Sequence, residues 1–239
     1  MIVLCARWTG GAPVTVRHFV IDTDAGSDDA VALIMAVRNS GVQVEAVTVV
    51  AGNVPLTNLA LALQREPAIA GLVREVYVMG GTAGAPGNVT AVAEYNIWAD
   101  PEAARQVFHS GLPITTVGWE IAVRHGVLTD DEAEQLLKIG TRRAQFAVEC
   151  NRTLRRYCRE VTRIEGIDLA DPVAMAIALD HSIMTRSAKK YVDVETGGEL
   201  KRGQTVVDFL GISGCPPNVR VCLEADGARF KEMLFDVLQ

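Results

Sequence analysis

The apolar residues of this chain fall in short blocks separated by polar punctuation, and the spacing inside each block predicts an element. Val14 to Ile21 is a strand that ends in a run of acids, and Ala30 to Val37 has helical periodicity. Val42 to Val50 (VQVEAVTVV) is the next strand; Val73 to Met79 (VREVYVM) and Leu112 to Val117 (LPITTV) are two more, each ending at a glycine. Helix starts are written in capping residues. Asp100-Pro101-Glu102 sets a capping aspartate before a proline, Thr129-Asp130-Asp131-Glu132 is a capping box, and Asp171-Pro172 repeats the first pattern before Val173 to Leu179. Leu59 to Gln64 reads as a helix, Tyr191 to Glu195 and Val219 to Leu223 as short strands, and Asp226 to Leu238 as a closing helix. Apolar strands alternating with helices predict an α/β fold, a single domain with a mostly parallel open sheet flanked by helices. Residues 1–16 read as a loose N-terminal extension and residues 17–239 as the domain.

Composition narrows the class. Hydrophobic residues are 49% and charged residues 22% of 239, an ordinary globular mixture that argues against disorder. The net charge is −6, from 23 basic and 29 acidic residues, and the basic residues are scattered except for Arg152, Arg155, Arg156, Arg159 and Arg163, whose helical spacing reads as a solvated face. Nucleic acid is excluded as a partner on this pattern. The five cysteines are odd in number and none forms a C-x-x-C pair, which fits thiols of a reducing compartment rather than zinc or a disulfide framework. The apolar opening Met1 to Cys5 is too short for a signal sequence, and no run approaches 18 apolar residues, so a cytoplasmic protein with no membrane contact is expected.

The chemistry concentrates in Asp22-Thr23-Asp24-Ala25-Gly26-Ser27-Asp28-Asp29, where a strand ends and a helix begins. That is the edge of an open α/β sheet at which ligand crevices form. Carboxylates this close repel one another when desolvated, and a hard divalent cation with oxygen ligands, Ca²⁺ above all, removes the cost. Each aspartate alone is explained as a helix N-terminal acid or a loop residue; the cluster at the end of an apolar strand is not. An EF-hand fails because Gly26 is fifth and Leu33 twelfth counting from Asp22. A HAD-type phosphohydrolase, with Asp22-Thr23-Asp24 as its D-x-D, leaves Asp28 and Asp29 without a role and meets Ala25-Gly26 where that family has glycine-threonine.

The cluster together with Ala30 resembles the D-x-D-P/x-G-x-D-D-A signature of the inosine-uridine preferring nucleoside hydrolases. Further motifs follow in that family's order: Gly52-Asn53, Pro55-Leu56-Thr57-Asn58, Val78-Met79-Gly80-Gly81, Gly87-Asn88, Ala93-Glu94-Tyr95-Asn96 and Asp171-Pro172. The resemblance implies a hydrolase that cleaves the N-glycosidic bond of ribonucleosides to ribose and free base, in purine or pyrimidine salvage, as a homo-oligomer (dimer or tetramer). It implies Ca²⁺ held by Asp24, Asp29, Asp171 and the backbone carbonyl of Thr57, with the ion carrying the attacking water and the ribose 2′ and 3′ hydroxyls. Asp24 is then the general base, and Asn53 lies near the metal and ribose in the catalytic set. Asp28 grips the ribose, Met79 and Asn88 line the sugar, and Glu94 and Asn96 face its 5′ hydroxyl.

Two departures follow. Gly52-Asn53 and Pro55-Leu56-Thr57-Asn58 nearly abut, whereas the family separates them by several strands and helices, so some βα units are expected to be missing and apolar strand edges exposed. A shortened relative with metal or sugar binding and no turnover is the alternative. Where many members have a histidine that protonates the leaving base, this chain has Ala170; His125 is the substitute candidate among its four histidines.

Overall fold

The computed structural model describes residues 1–6, 16–49 and 56–239. In chain order, β1 (Ile2–Ala6), β2 (Arg17–Thr23), α1 (Ser27–Arg38) and β3 (Val42–Val49) are followed by α2 (Thr57–Arg65), α3 (Ile69–Leu72), β4 (Val73–Met79), α4 (Tyr95–Ala99), α5 (Pro101–Phe108) and β5 (Ile114–Val117). The second half runs α6 (Trp119–Ile121), β6 (Val127–Leu128), α7 (Asp130–Ile139), α8 (Arg142–Glu149), α9 (Arg152–Tyr157), β7 (Ile167–Asp168), α10 (Ala170–Leu179), β8 (Arg186–Val194), β9 (Thr205–Asp208), β10 (Val219–Glu224) and α11 (Gly227–Leu238). Eight strands form one sheet in the order β3-β2-β1-β4-β5-β10-β8-β9, and β6 and β7 form a separate pair. The pairings set β3, β2, β4, β5, β10 and β9 in one direction, with β1 and β8 running against them. The expected mostly parallel α/β sheet is therefore present, with β1 antiparallel in its interior and β8 antiparallel near one edge.

The first six residues differ from the loose extension expected of 1–16; residues 7–15 lie outside the described residues. Ile2–Ala6 is an antiparallel strand in the interior of the sheet, with Val3 opposite Ile21 on β2 and opposite Tyr77 on β4. Its alternation explains why. Val3 and Cys5 point into the core under α1, α10 and α11, while Ile2 points into a second core with Val76, Val78 and Ile114. A strand covered on both faces reads as continuous hydrophobicity, as Ile2-Val3-Leu4-Cys5 does. Each such side chain contributes about 1.5–3 kcal/mol on burial.

Helix α10 is the hub. Asp171 through Leu179 are all buried, so the apolar all-round sequence is that of a central helix rather than a surface one. The capping expectations hold at Asp100, whose side chain accepts from the Ala103 amide, and at Thr129, which forms a reciprocal box with Glu132. They fail at Asp171. Helix α10 begins at Ala170, one residue before it, and the Asp171 carboxylate pairs with the Met1 α-amino group instead of capping. The arginine stretch is partly engaged, because Arg155 and Arg159 both reach Asp130 on α7. At the other side of the sheet β3 is an edge strand with Glu45 to Val49 exposed, as expected where neighbouring units are missing. Beside it, an apolar hollow of about 270 Å³ lies between the sheet and α2 and α3. Among the described residues no helix is long and apolar enough to cross a membrane.

Candidate active site

The acidic turn leaves β2 at the C-terminal edge of the parallel strands and enters α1. Ala25 takes a left-handed conformation, φ 60°, which a non-glycine residue adopts only when its surroundings enforce it. The enforcing contacts are local. The Ala25 amide donates to Thr23 Oγ1 at 3.0 Å, the Gly26 amide donates to Asp29 Oδ2 at 3.0 Å, and the Thr23 hydroxyl donates to Asp29 Oδ1 at 2.5 Å. The turn thus fixes Asp29 and turns Asp24 outward from the strand end. Helix α10 brings Asp171 from 142 positions away, and carboxylate oxygens of Asp24, Asp29 and Asp171 lie within 4.8 Å of one another. Three oxygen donors at that spacing suit a hard cation. The buried α-amino group of Met1 stands 3.1 Å from Asp171 Oδ1. Burial lowers the pKa of that amine, yet the charges of Asp171, Asp29 and Asp24 outweigh burial and raise it to about 11.

The carboxyl groups share the strain of the cluster unequally. Burial, reinforced by Asp29, pushes Asp24 up to about 6 and Asp28 up to about 7. Burial likewise raises Asp171. Asp29 moves down: burial opposes the shift, but the nearby ammonium and hydrogen bonds from Asp171, Thr23 and Asp24 favour its charged form.

Across the cleft, the Gly80-Gly81 turn after β4 and the start of α4 build a polar wall. Glu94, 2% exposed, caps α4: Oε1 accepts from the Asn96 amide at 2.9 Å and Oε2 from the Gly81 amide at 2.8 Å. Burial pushes it up to about 7 even so. Asn88 Oδ1 accepts from the Tyr95 amide at 2.9 Å, and Asn96 Nδ2 lies 3.1 Å from Met79 Sδ, which holds both amides at the rim.

Asp24, Asp28, Asp29, Met79, Asn88, Glu94, Asn96 and Asp171 all line one cavity of about 210 Å³. Thr57 is not brought there. It opens α2, its hydroxyl donates to Asp100 Oδ2 at 2.5 Å, and it is not among the cavity's lining residues. Asn53 lies outside the described residues. His125 faces Glu224 at 3.2 Å and is not among the cavity's lining residues. Asp22, the acceptor a phosphohydrolase would use, is 2% exposed and turned to Thr48 and Asn58 at 2.6 and 3.0 Å. Sequence reasoning missed the cavity's far end, Trp119, Leu154, Tyr157, Cys158 and Asp168. One signal was available: Trp119 follows Gly118 directly after a parallel strand, the same strand-end position as Asp24.

The raised carboxyls set a pH dependence. Asp28 and Glu94 bind a proton more tightly folded than unfolded, so between the ordinary carboxylate range and about 7 the folded chain holds extra protons and stability falls as pH rises. In EDTA, the melting temperature should fall from pH 5 to pH 8, and Asp28→Asn should flatten part of that fall. Scanning fluorimetry across this range checks it; a melting temperature that rises with pH would contradict the assignment.

The chain has sequence and structural relatives. The family model described as inosine-uridine preferring nucleoside hydrolase matches residues 19–56 and 54–232, two pieces that meet where the sequence brings Gly52-Asn53 against Pro55-Leu56. The pyrimidine-specific ribonucleoside hydrolase RihA of Escherichia coli K12 is 34% identical over 196 residues, 82% of this chain and 62% of the relative. That of Enterobacter sp. strain 638 is 35% identical over 195 residues, 81% of this chain and 61% of the relative. The chain therefore spans about three fifths of the length of these curated relatives. Among solved structures, the plant nucleoside hydrolase PpNRh1 superposes with a TM-score of 0.84 at 25% identity, covering 95% of this chain and 99% of that one. The purine-preferring ribonucleoside hydrolase from Gardnerella vaginalis shares the fold, with a TM-score of 0.80 at 19% identity over 92% of this chain and 97% of that one.

Proposed function

The chain belongs to the inosine-uridine preferring nucleoside hydrolase family, and from that premise we propose that it hydrolyses the N-glycosidic bond of ribonucleosides with the help of Ca²⁺. The observation that carries the reading is convergence: eight residues spread from position 24 to position 171 line a single cavity, cation-binding carboxylates on one side and Glu94 and Asn96 on the other. Asp24, Asp29 and Asp171 would hold the ion, which when bound supplies a Lewis acid that orients and acidifies the attacking water. Asp24 takes the water's proton, Asp28 accepts from a ribose hydroxyl, and Glu94 with Asn96 receives the 5′ hydroxyl. The carboxylate-rich wall also favours positive charge growing on the sugar as the bond to the base breaks.

A second reading, cation and sugar binding without turnover, is favoured by Thr57, which is not among the residues lining the cavity and whose hydroxyl is engaged by Asp100. Reducing-sugar release from inosine, uridine and cytidine, with Ca²⁺ or with EDTA, decides between them. Release that depends on Ca²⁺ is the expected result. Folded protein that releases no sugar from any of the three, while Ca²⁺ still raises its melting temperature, supports the binding reading instead. The five cysteines are all unpaired, which suits the reducing, cytoplasmic setting included in this proposal.

A further inference from the structure

Asp168 is the acid of the cleft to which the family resemblance gives no work. It ends β7, is 8% exposed, and lines the same cavity as the carboxylate cluster and Glu94. Oδ2 accepts from Trp119 Nε1 at 2.7 Å, which fixes the plane of the carboxyl. Oδ1 is buried and has no hydrogen-bond partner among the described residues. A buried carboxyl oxygen left unmatched costs free energy unless a ligand meets it. Trp119, Leu154, Tyr157 and Cys158 line the same cavity, and the aromatic rings among them suit the flat face of a nucleobase. Burial pushes the carboxyl up to about 6, so a protonated fraction persists near neutrality. The next residues on the chain are Leu169, Ala170 and Asp171: the position that bears a histidine in many members is blank here, and an acid stands two residues before it.

We propose that Asp168 is the general acid of this chain, donating its proton to the departing nucleobase in place of a histidine. The proposal rests on the ribonucleoside hydrolase reading. As the bond from C1′ to the base nitrogen breaks, its electron pair goes to the base and the Asp168 proton passes to a base heteroatom. Water oxygen bonds to C1′ and gives a proton to Asp24. Asp24 then releases a proton to solvent, Asp168 takes one up, and the products are ribose and neutral base. Trp119 is a positioning residue, holding the carboxyl at the cavity wall through Oδ2.

Leaving-group dependence tests this. Asp168→Asn keeps an oxygen acceptor for Trp119 and removes the acidic proton. On uridine or inosine it should lower kcat/KM by about 100-fold, whereas on 4-nitrophenyl β-D-ribofuranoside, whose leaving group departs as a stable anion, the loss should stay within about threefold. Equal losses on both substrates, or none on either, overturn the proposal. If wild-type protein cleaves the nitrophenyl riboside and the nucleosides, the hydrolase reading stands whatever the variant does; if it cleaves neither, that reading falls first and takes this one with it. Should Asp168→Asn fold poorly, Asp168→Ala assayed with added acetate at mildly acidic pH replaces it. Acetate should restore at least about tenfold of the activity on nucleosides and nothing on the nitrophenyl riboside; no rescue, or rescue on both, contradicts the acid role.

Discussion

Asp24→Asn is expected to lower kcat/KM on nucleosides by about 10²–10⁴-fold while leaving the protein folded. The loss corresponds to about 3–5 kcal/mol of transition-state stabilisation, at about 1.4 kcal/mol for each factor of ten. Asparagine keeps the size and one oxygen of the side chain but cannot accept the water's proton. The fold should not suffer, because burial, reinforced by Asp29, already pushes the proton affinity of Asp24 up, and a neutral side chain removes both costs. Unlike Asp168→Asn, the loss should be equally large on nucleosides and on the nitrophenyl riboside, since attack by water is common to both. Steady-state rates with a thermal melt of the same sample test it. Activity within about tenfold of wild type would remove Asp24 from the base role.

Much of this site is legible in the sequence because its parts sit at strand ends and helix starts, where local grammar is strong. Asp28 and Asp29 open a helix, Glu94 caps another, and Asp24 follows an apolar strand; Asp29 and Glu94 are fixed by amides within three residues, those of Gly26 and Asn96. What escaped is what distant pairing places. Asp171 is expected at the cation site and lies there, but its letters are also those of a helix cap; α10 begins one residue before it, and its carboxylate meets the Met1 amino group instead of capping. Thr57 retains its motif, but a motif does not state where the fold sets it; its hydroxyl finds Asp100 on the turn into α5. Asp168 carries no local signal at all. Its partner Trp119 is 49 positions away, and only the folded cleft shows that one of its oxygens has been left without a donor.

The same distinction governs the opening strand, where the largest stability effect is expected. Met1 to Ala6 has no capping residue or turn to mark it, and strand formation depends on neighbours more than on the segment itself. In the sheet order, β1 is among the described residues the only link between the β3-β2 pair and the five-stranded remainder that begins at β4. Val3, 1% exposed, pairs with Ile21 on one side and Tyr77 on the other. Val3→Asp therefore places a carboxylate between two apolar strands with no partner, at a cost above about 4 kcal/mol. Against a typical total of about 5–15 kcal/mol, most of the folded population is at risk. The same change at Val47 on the edge strand β3, 43% exposed, should cost less than about 1 kcal/mol. Urea unfolding of the two variants side by side measures the difference; equal midpoints would mean that β1 does not hold the sheet together. Because Asp24 follows β2 directly and Met79 ends β4, separating the two halves of the sheet also separates the two walls of the cleft. Any Val3→Asp protein that remains soluble should therefore lose the rise in melting temperature with Ca²⁺ that Val47→Asp retains.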